Sequence, residues 1–252
     1  VHGDREVRRR TEELTAWGAV AAPVALLLAS LLPARAQESR PSPLPAPGEL
    51  NPLVVRVFES YPRDGSHGYW WPKGSPWEGT TRDLLYLGRK IATGDPQKRS
   101  YCCGFTFEVF FRAWEEWCGE KKVPFRIGDL NAETIGDFRR AWYGSDGDRR
   151  TLFHALVDAR LGVPVEKWEE ARPGDFVQFW RKNGTGHSAI LLDWERRGRE
   201  IVGIRFGSSQ GSTKGIGVKS EFLREEAERR AEGEKGIDPA QIHIARAGRA
   251  GP

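Results

Sequence analysis

Apolar residues along the chain recur first at helical and then at strand spacing. Residues 53–60 predict a short helix, and residues 65–79 form a loop carrying Tyr69, Trp70, Trp71 and Trp77. Residues 81–92 predict a second helix, and Gly94-Asp95-Pro96 then turns the chain into a long apolar helix starting at Cys102 and stopping at Gly119. Residues 133–143 and 149–161 predict two more amphipathic helices. Beyond them the period shortens. Residues 175–180, 187–194, 200–208 and 241–245 are short runs rich in Val, Ile and Phe, broken by turn residues such as Asn183-Gly184 and Arg197-Gly198. Residues 220–232 predict a charged surface helix before the last strand. Helices first and an antiparallel sheet afterwards give an α+β fold class, placed in residues 51–246 and followed by a flexible tail, 247–252.

The first fifty residues follow neither period. Arg8-Arg9-Arg10 precedes an apolar run over 16–32 that ends in Ala34-Arg35-Ala36, the pattern of a secretory signal over 1–36 with an Ala-x-Ala cleavage site. An uncleaved membrane anchor is the alternative, although the run is short for a span and contains Pro23. Residues 37–50, rich in Pro and Ser, predict an extended linker. The expected location is secreted or periplasmic, with membrane contact only through the export signal.

With 252 residues, 38% hydrophobic and ten Trp, the chain is long enough to bury a substantial core. The net charge of +4 is spread along the sequence without the dense Lys/Arg cluster of a nucleic-acid groove, so no nucleic-acid partner is expected. Three cysteines leave at least one thiol unpaired. If 102–118 is one helix, Cys103 and Cys118 lie about 22 Å apart at 1.5 Å per residue, beyond the roughly 7 Å reach of a disulfide.

Cys102 stands at a helix start, and His187 opens a strand some eighty residues later. These are the two halves of a cysteine-nucleophile site. Only the thiolate attacks, and a helix N-terminus with a nearby imidazolium lowers a thiol pKa from about 8.5 by several units. The imidazole then takes and returns the proton.

Tyr101-Cys102-Cys103-Gly104-Phe105 resembles the start of the nucleophile helix in NlpC-type cysteine peptidases, a papain-like group related to the CHAP amidases. Arg172-Pro173-Gly174-Asp175-Phe176 and Gly186-His187-Ser188-Ala189-Ile190 are similar to that family's Pro-Gly-Asp strand and the histidine strand after it. The resemblance spans roughly residues 95 to 220. It implies a papain-like fold with the nucleophile helix packed on a small antiparallel sheet, Cys102 as nucleophile and His187 as base. The sequence departs from the pattern at Tyr101, where the family commonly has Asp, and at Cys103, where it has a small Ser. The third family residue, which orients the histidine, has Gln210 and Ser208 as its nearest polar counterparts. Gln210 is preferred because its amide can accept the imidazole N–H.

The implied activity is exported thiol hydrolysis of amide bonds, with a cell-wall peptide or glycopeptide as substrate. Trp70, Trp71 and Trp77 either line a groove for that substrate or lid the core. Cys103 is the alternative nucleophile, and Cys118 beside Trp114 and Trp117 reads as a buried apolar residue. His154 and His243 read as structural or exposed. No cofactor or metal is expected: Asp146-Gly147-Asp148 lacks the later ligands of a calcium loop, and the vicinal cysteines lack zinc-knuckle spacing. Two further classes stay open, a non-catalytic wall-binding or scaffold module on the same fold and a thiol acyltransferase.

Overall fold

Helix α2 (Cys102–Lys121) is the centre of the molecule, because nearly its whole circumference is apolar: Phe105, Phe107, Phe110, Phe111, Trp114 and Trp117 are all buried. The computed structural model describes residues 43–71, 78–144, 147–232 and 235–249. Around α2 pack α1 (Asn51–Glu59) and α3 (Thr134–Tyr143) on two sides and the main sheet on a third; α4 (Leu152–Asp158) packs on α3. Phe110 meets the rings of Trp114, Phe138, Trp142 and Phe176 with centroids 5.1 to 6.0 Å apart. One carboxylate enters this core. Glu108 accepts the Tyr61 hydroxyl at 2.6 Å and the Thr81 N–H and hydroxyl at 2.7 Å each, so its oxygens are satisfied where water is excluded. The helix passes Gly119 and ends at Lys122, whose left-handed φ of 55° turns the chain and directs its N–H to the Cys118 and Gly119 carbonyls.

The main sheet has six strands among the described residues, in the order β3 (Gly162–Pro164), β8 (Ile237–Ala247), β4 (Phe176–Arg181), β5 (Gly186–Arg197), β6 (Glu200–Gln210), β7 (Gly215–Phe222). Every pairing in it is antiparallel. Alternation along the strands divides its residues between two cores. Phe176 and Ile190 join the helical core, whereas Val177, Phe179, Ala189, Leu191 and Phe206 build a second cluster with Ile237 and Ile244. The molecule is therefore α+β, with helices before the sheet and one short helix, α5 (Arg224–Arg229), between its last two strands.

Asp175, fully buried at the entrance to β4, joins distant parts of the chain. It accepts two hydrogen bonds from Arg246 of β8 at 2.9 Å, one from Asn51 of α1 at 2.8 Å and one from the Arg172 N–H at 2.8 Å. Gly174 before it has φ +90°, and a Cβ there would come within 2.5 Å of the Asn51 carbonyl oxygen. The Pro-Gly-Asp segment is thus explained by packing.

Several expectations from the sequence need correction. Residues 81–92 are not a helix: β1 (Leu84–Tyr86) and β2 (Arg89–Ala92) form a hairpin, with Leu87 at φ 50° and Gly88 at φ 77° in the turn. Two successive positive φ values are the mark of a type I′ two-residue hairpin turn, and Leu84 and Tyr86 are buried while Leu85 between them is exposed. Residues 220–222 belong to strand β7, so the helix expected over 220–232 shrinks to α5, and β3 was not anticipated. The helix expected over 149–161 begins only at Leu152 and ends at Asp158. Strand β6 extends to Gln210, two residues past its expected end. The described part of the expected linker lies on the fold: Leu50 is buried, the Gly48 N–H donates to Ala247, and the Arg249 N–H donates to Pro45.

Candidate functional site

The start of α2 is held by backbone from three directions. Ser100 donates its N–H to Gly68, while its carbonyl accepts from the Trp70 N–H at 3.1 Å and from the Ser209 hydroxyl at 3.1 Å. Tyr101 is extended (φ −127°, ψ 168°) and donates to the Gly79 carbonyl. Gly104 then lies so close to the Glu78-Gly79 backbone that a Cβ would come within 2.3 Å of the Gly79 oxygen and 2.6 Å of the Glu78 oxygen. That approach is the physical reason for glycine two residues after Cys102. No side chain caps the helix, so the positive end of its dipole at Cys102 is not offset by a capping oxygen.

Cys102 is half-buried and lines a cleft of about 780 Å³ together with Tyr69, Trp71, Gly186, His187 and Gln210. Its thiol is held well below the ordinary range. The largest cause is a hydrogen bond from the Cys103 thiol; burial opposes it, and the His187 imidazole and the Ser188 N–H lower it further. Cys103 behaves in the opposite way. It is 5% exposed, and burial followed by the neighbouring Cys102 charge pushes its thiol up. The charge of the pair therefore rests on Cys102, the sulfur that faces the cleft.

His187 enters from the start of β5, opposite Phe179 of β4, with its ring 5.6 Å from that of Phe179 and 5.4 Å from that of Phe206. The next residue, Ser188, points to the other face and donates its hydroxyl to Gln178 at 2.7 Å. The Ile190–Gly207 register, continued toward the strand ends, leads to His187 and Gln210. Both carry a buried nitrogen, Nε2 in each case, with no hydrogen-bond partner among the described residues. Ser208, the other polar candidate, is fully buried and donates to the Ser188 carbonyl at 2.8 Å, so its hydroxyl is occupied in joining β6 to β5.

The far wall of the cleft is charged. Arg181 donates to both oxygens of Glu221 at 2.6 and 2.8 Å, and Lys219 donates to the same carboxylate at 2.9 Å. Burial would raise the Glu221 carboxyl, but the two cations bring it below its usual value. None of these three residues was singled out in the sequence. Lys219 and Glu221 share a face of β7, which shows only once that strand is recognised, and Arg181 is the last residue of β4.

Trp71 is 54% exposed, lines the cleft and packs on Tyr101 at 4.4 Å. Trp70 does not line it, and its ring lies under the Arg99 guanidinium at 3.8 Å. Trp77 and Asp146 lie outside the described residues. Tyr69, read from the sequence only as part of the aromatic loop, is on the cleft wall, and burial followed by the adjacent cysteine charges raises its phenol. His154 pairs with Asp148, and His243 packs 5.8 Å from the Phe153 ring; neither lines the cleft. Cys118 is buried, with its thiol directed to the Arg126 carbonyl. Among the described residues no group of three or more His, Cys, Asp or Glu side chains is placed to hold a metal ion, and no helix is long and apolar enough to cross a membrane. Comparison of the chain with protein-family models, curated proteins and solved structures gives no match.

Proposed function

We propose that the protein is a papain-like thiol hydrolase of amide bonds, acting on cell-wall peptides after export. The observation that carries this reading is the placement of Cys102 at an uncapped helix start on the cleft that His187 also lines, where the Cys103 thiol and then the imidazole lower its thiol. Cys102 attacks the amide carbonyl, and the N–H groups of the first turn of α2 receive the developing oxyanion. His187 protonates the departing amine and then draws a proton from the water that releases the acyl group. Gln210 orients the ring. The β5–β6 register, continued to the strand ends, runs from His187 to Gln210, and the carbonyl oxygen of its amide is the kind of group that accepts an imidazole N–H.

The family resemblance of Cys102-Cys103-Gly104 and Gly186-His187-Ser188 supports cell-wall peptides as the substrate class. The test is incubation of the purified protein with cell-wall peptide fragments, with products read by mass. Amide cleavage by the parent and its loss in Cys102→Ala are expected. Cleavage that survives in Cys102→Ala overturns the reading.

A further inference from the structure

Cys103 is a nucleophilic side chain that the hydrolytic cycle does not use, and it is placed against the one that the cycle does use. The two residues are consecutive at the start of α2, with Cα atoms about 3.8 Å apart, and the Cys103 thiol is the largest influence that lowers Cys102. Both thiols are free, Cys102 opens to the cleft, and Cys103 is sheltered behind it. We propose that Cys103 is the resolving partner of Cys102 in a reversible redox modification, in which a hydroperoxide converts the pair to a vicinal disulfide and stops hydrolysis.

With Cys102 the nucleophile of the reading above, the same thiolate attacks one peroxide oxygen. An S–O bond forms, the O–O bond breaks, and the peroxide leaves reduced as alkoxide or hydroxide, which takes a proton from solvent. Cys102 is now a sulfenic acid. Oxidation removes the Cys102 charge, one of the influences that hold the Cys103 thiol up. The Cys103 sulfur then attacks the Cys102 sulfur. The S–S bond forms, the S–O bond breaks, and the hydroxyl leaves with the Cys103 proton as water.

Position in the helix makes the bridge accessible. Residues 102 and 103 are the first two of α2, where N–H groups have no intrahelical acceptor, so their backbone can depart from helical geometry without losing those donors' bonds. Adjacent Cα atoms are only about 3.8 Å apart, shorter than an ordinary disulfide span, which leaves the bridge strained and easily reduced by a dithiol.

The reduced full chain is exposed to hydrogen peroxide, blocked with an alkylating agent and digested with trypsin. Cleavage after Arg99, Arg112 and Lys121 places Cys102 and Cys103 on one peptide and Cys118 on another. The expected result is a 100–112 peptide lighter by two hydrogens that has lost both labels and regains them after dithiothreitol, with Cys118 labelled throughout. In Cys103→Ser the same treatment should drive Cys102 to the irreversible sulfinic acid. A disulfide joining the two peptides or two chains overturns the proposal, as does parent Cys102 found as sulfinic acid under the same dose. Hydrolysis by the reduced protein is measured in parallel. A vicinal disulfide in a protein without hydrolytic activity overturns the proposed hydrolase, and hydrolysis with no vicinal disulfide overturns only the redox pair.

Discussion

At the scale of single residues, Cys102 and Cys118 are two thiols of one helix in opposite environments. The first is lowered by Cys103, His187 and the Ser188 N–H, and the second is raised by burial. Alkylation at about pH 6 should therefore proceed much faster at Cys102, because a lowered pKa keeps part of it ionised there. Peptide mapping of the folded protein measures both rates, and equal labelling would remove the nucleophile assignment. His187 transfers a proton in both halves of the proposed cycle, so His187→Ala should slow hydrolysis by on the order of 10² to 10⁴. Gln210→Ala should cost less, because the amide only orients the ring. Turnover of wall peptides, with circular dichroism to show that each variant is folded, separates the two. Cys102, Cys103, Gly104 and His187 were legible in the sequence because their spacing to a helix start or a strand start is local.

Between elements, the buried Asp175 decides how α1, β4 and β8 meet. Asp175→Ala leaves the Arg246 guanidinium and the Asn51 amide without their acceptor. Breaking a buried pair from one side costs about 3 to 5 kcal/mol, and urea unfolding of the variant should show a loss of that size. A loss below about 1 kcal/mol would mean that the clamp is not structural. The hairpin of β1 and β2 illustrates the opposite case, in which local sequence misleads. Leu84, Leu85, Leu87 and Ile91 fit a helical stripe as well as a strand pair. What selects the hairpin is burial of Leu84 and Tyr86 in the helical core, with the Tyr86 hydroxyl donating to the Leu130 carbonyl at 2.8 Å and accepting from the Ile127 N–H at 3.0 Å. Those partners are some forty residues distant.

Across the whole molecule, the cleft brings the Cys102 end of α2 to an ion cluster on β4 and β7. Glu221 is lowered in the folded state, so its contribution to stability is present above its ordinary value of 4.5 and is lost as pH falls through the lower folded value. The difference in unfolding free energy between the parent and Glu221→Gln should accordingly shrink on acidification below about pH 4.5. Urea midpoints across that range measure it, and a constant difference would contradict the coupling to Arg181 and Lys219. The helix-then-sheet order, the long apolar helix and the positions of its thiols were readable from the chain alone, because hydrophobic period and turn residues act over a few positions. So was the place of His187 at a strand start. That β6 runs on to Gln210, that Ser208 is taken up by the Ser188 carbonyl, and that Arg181, Lys219 and Glu221 line the cleft emerge only from the packed fold. Those outcomes depend on strand register and on partners far along the chain, whose contacts have no local signature in the residues that make them.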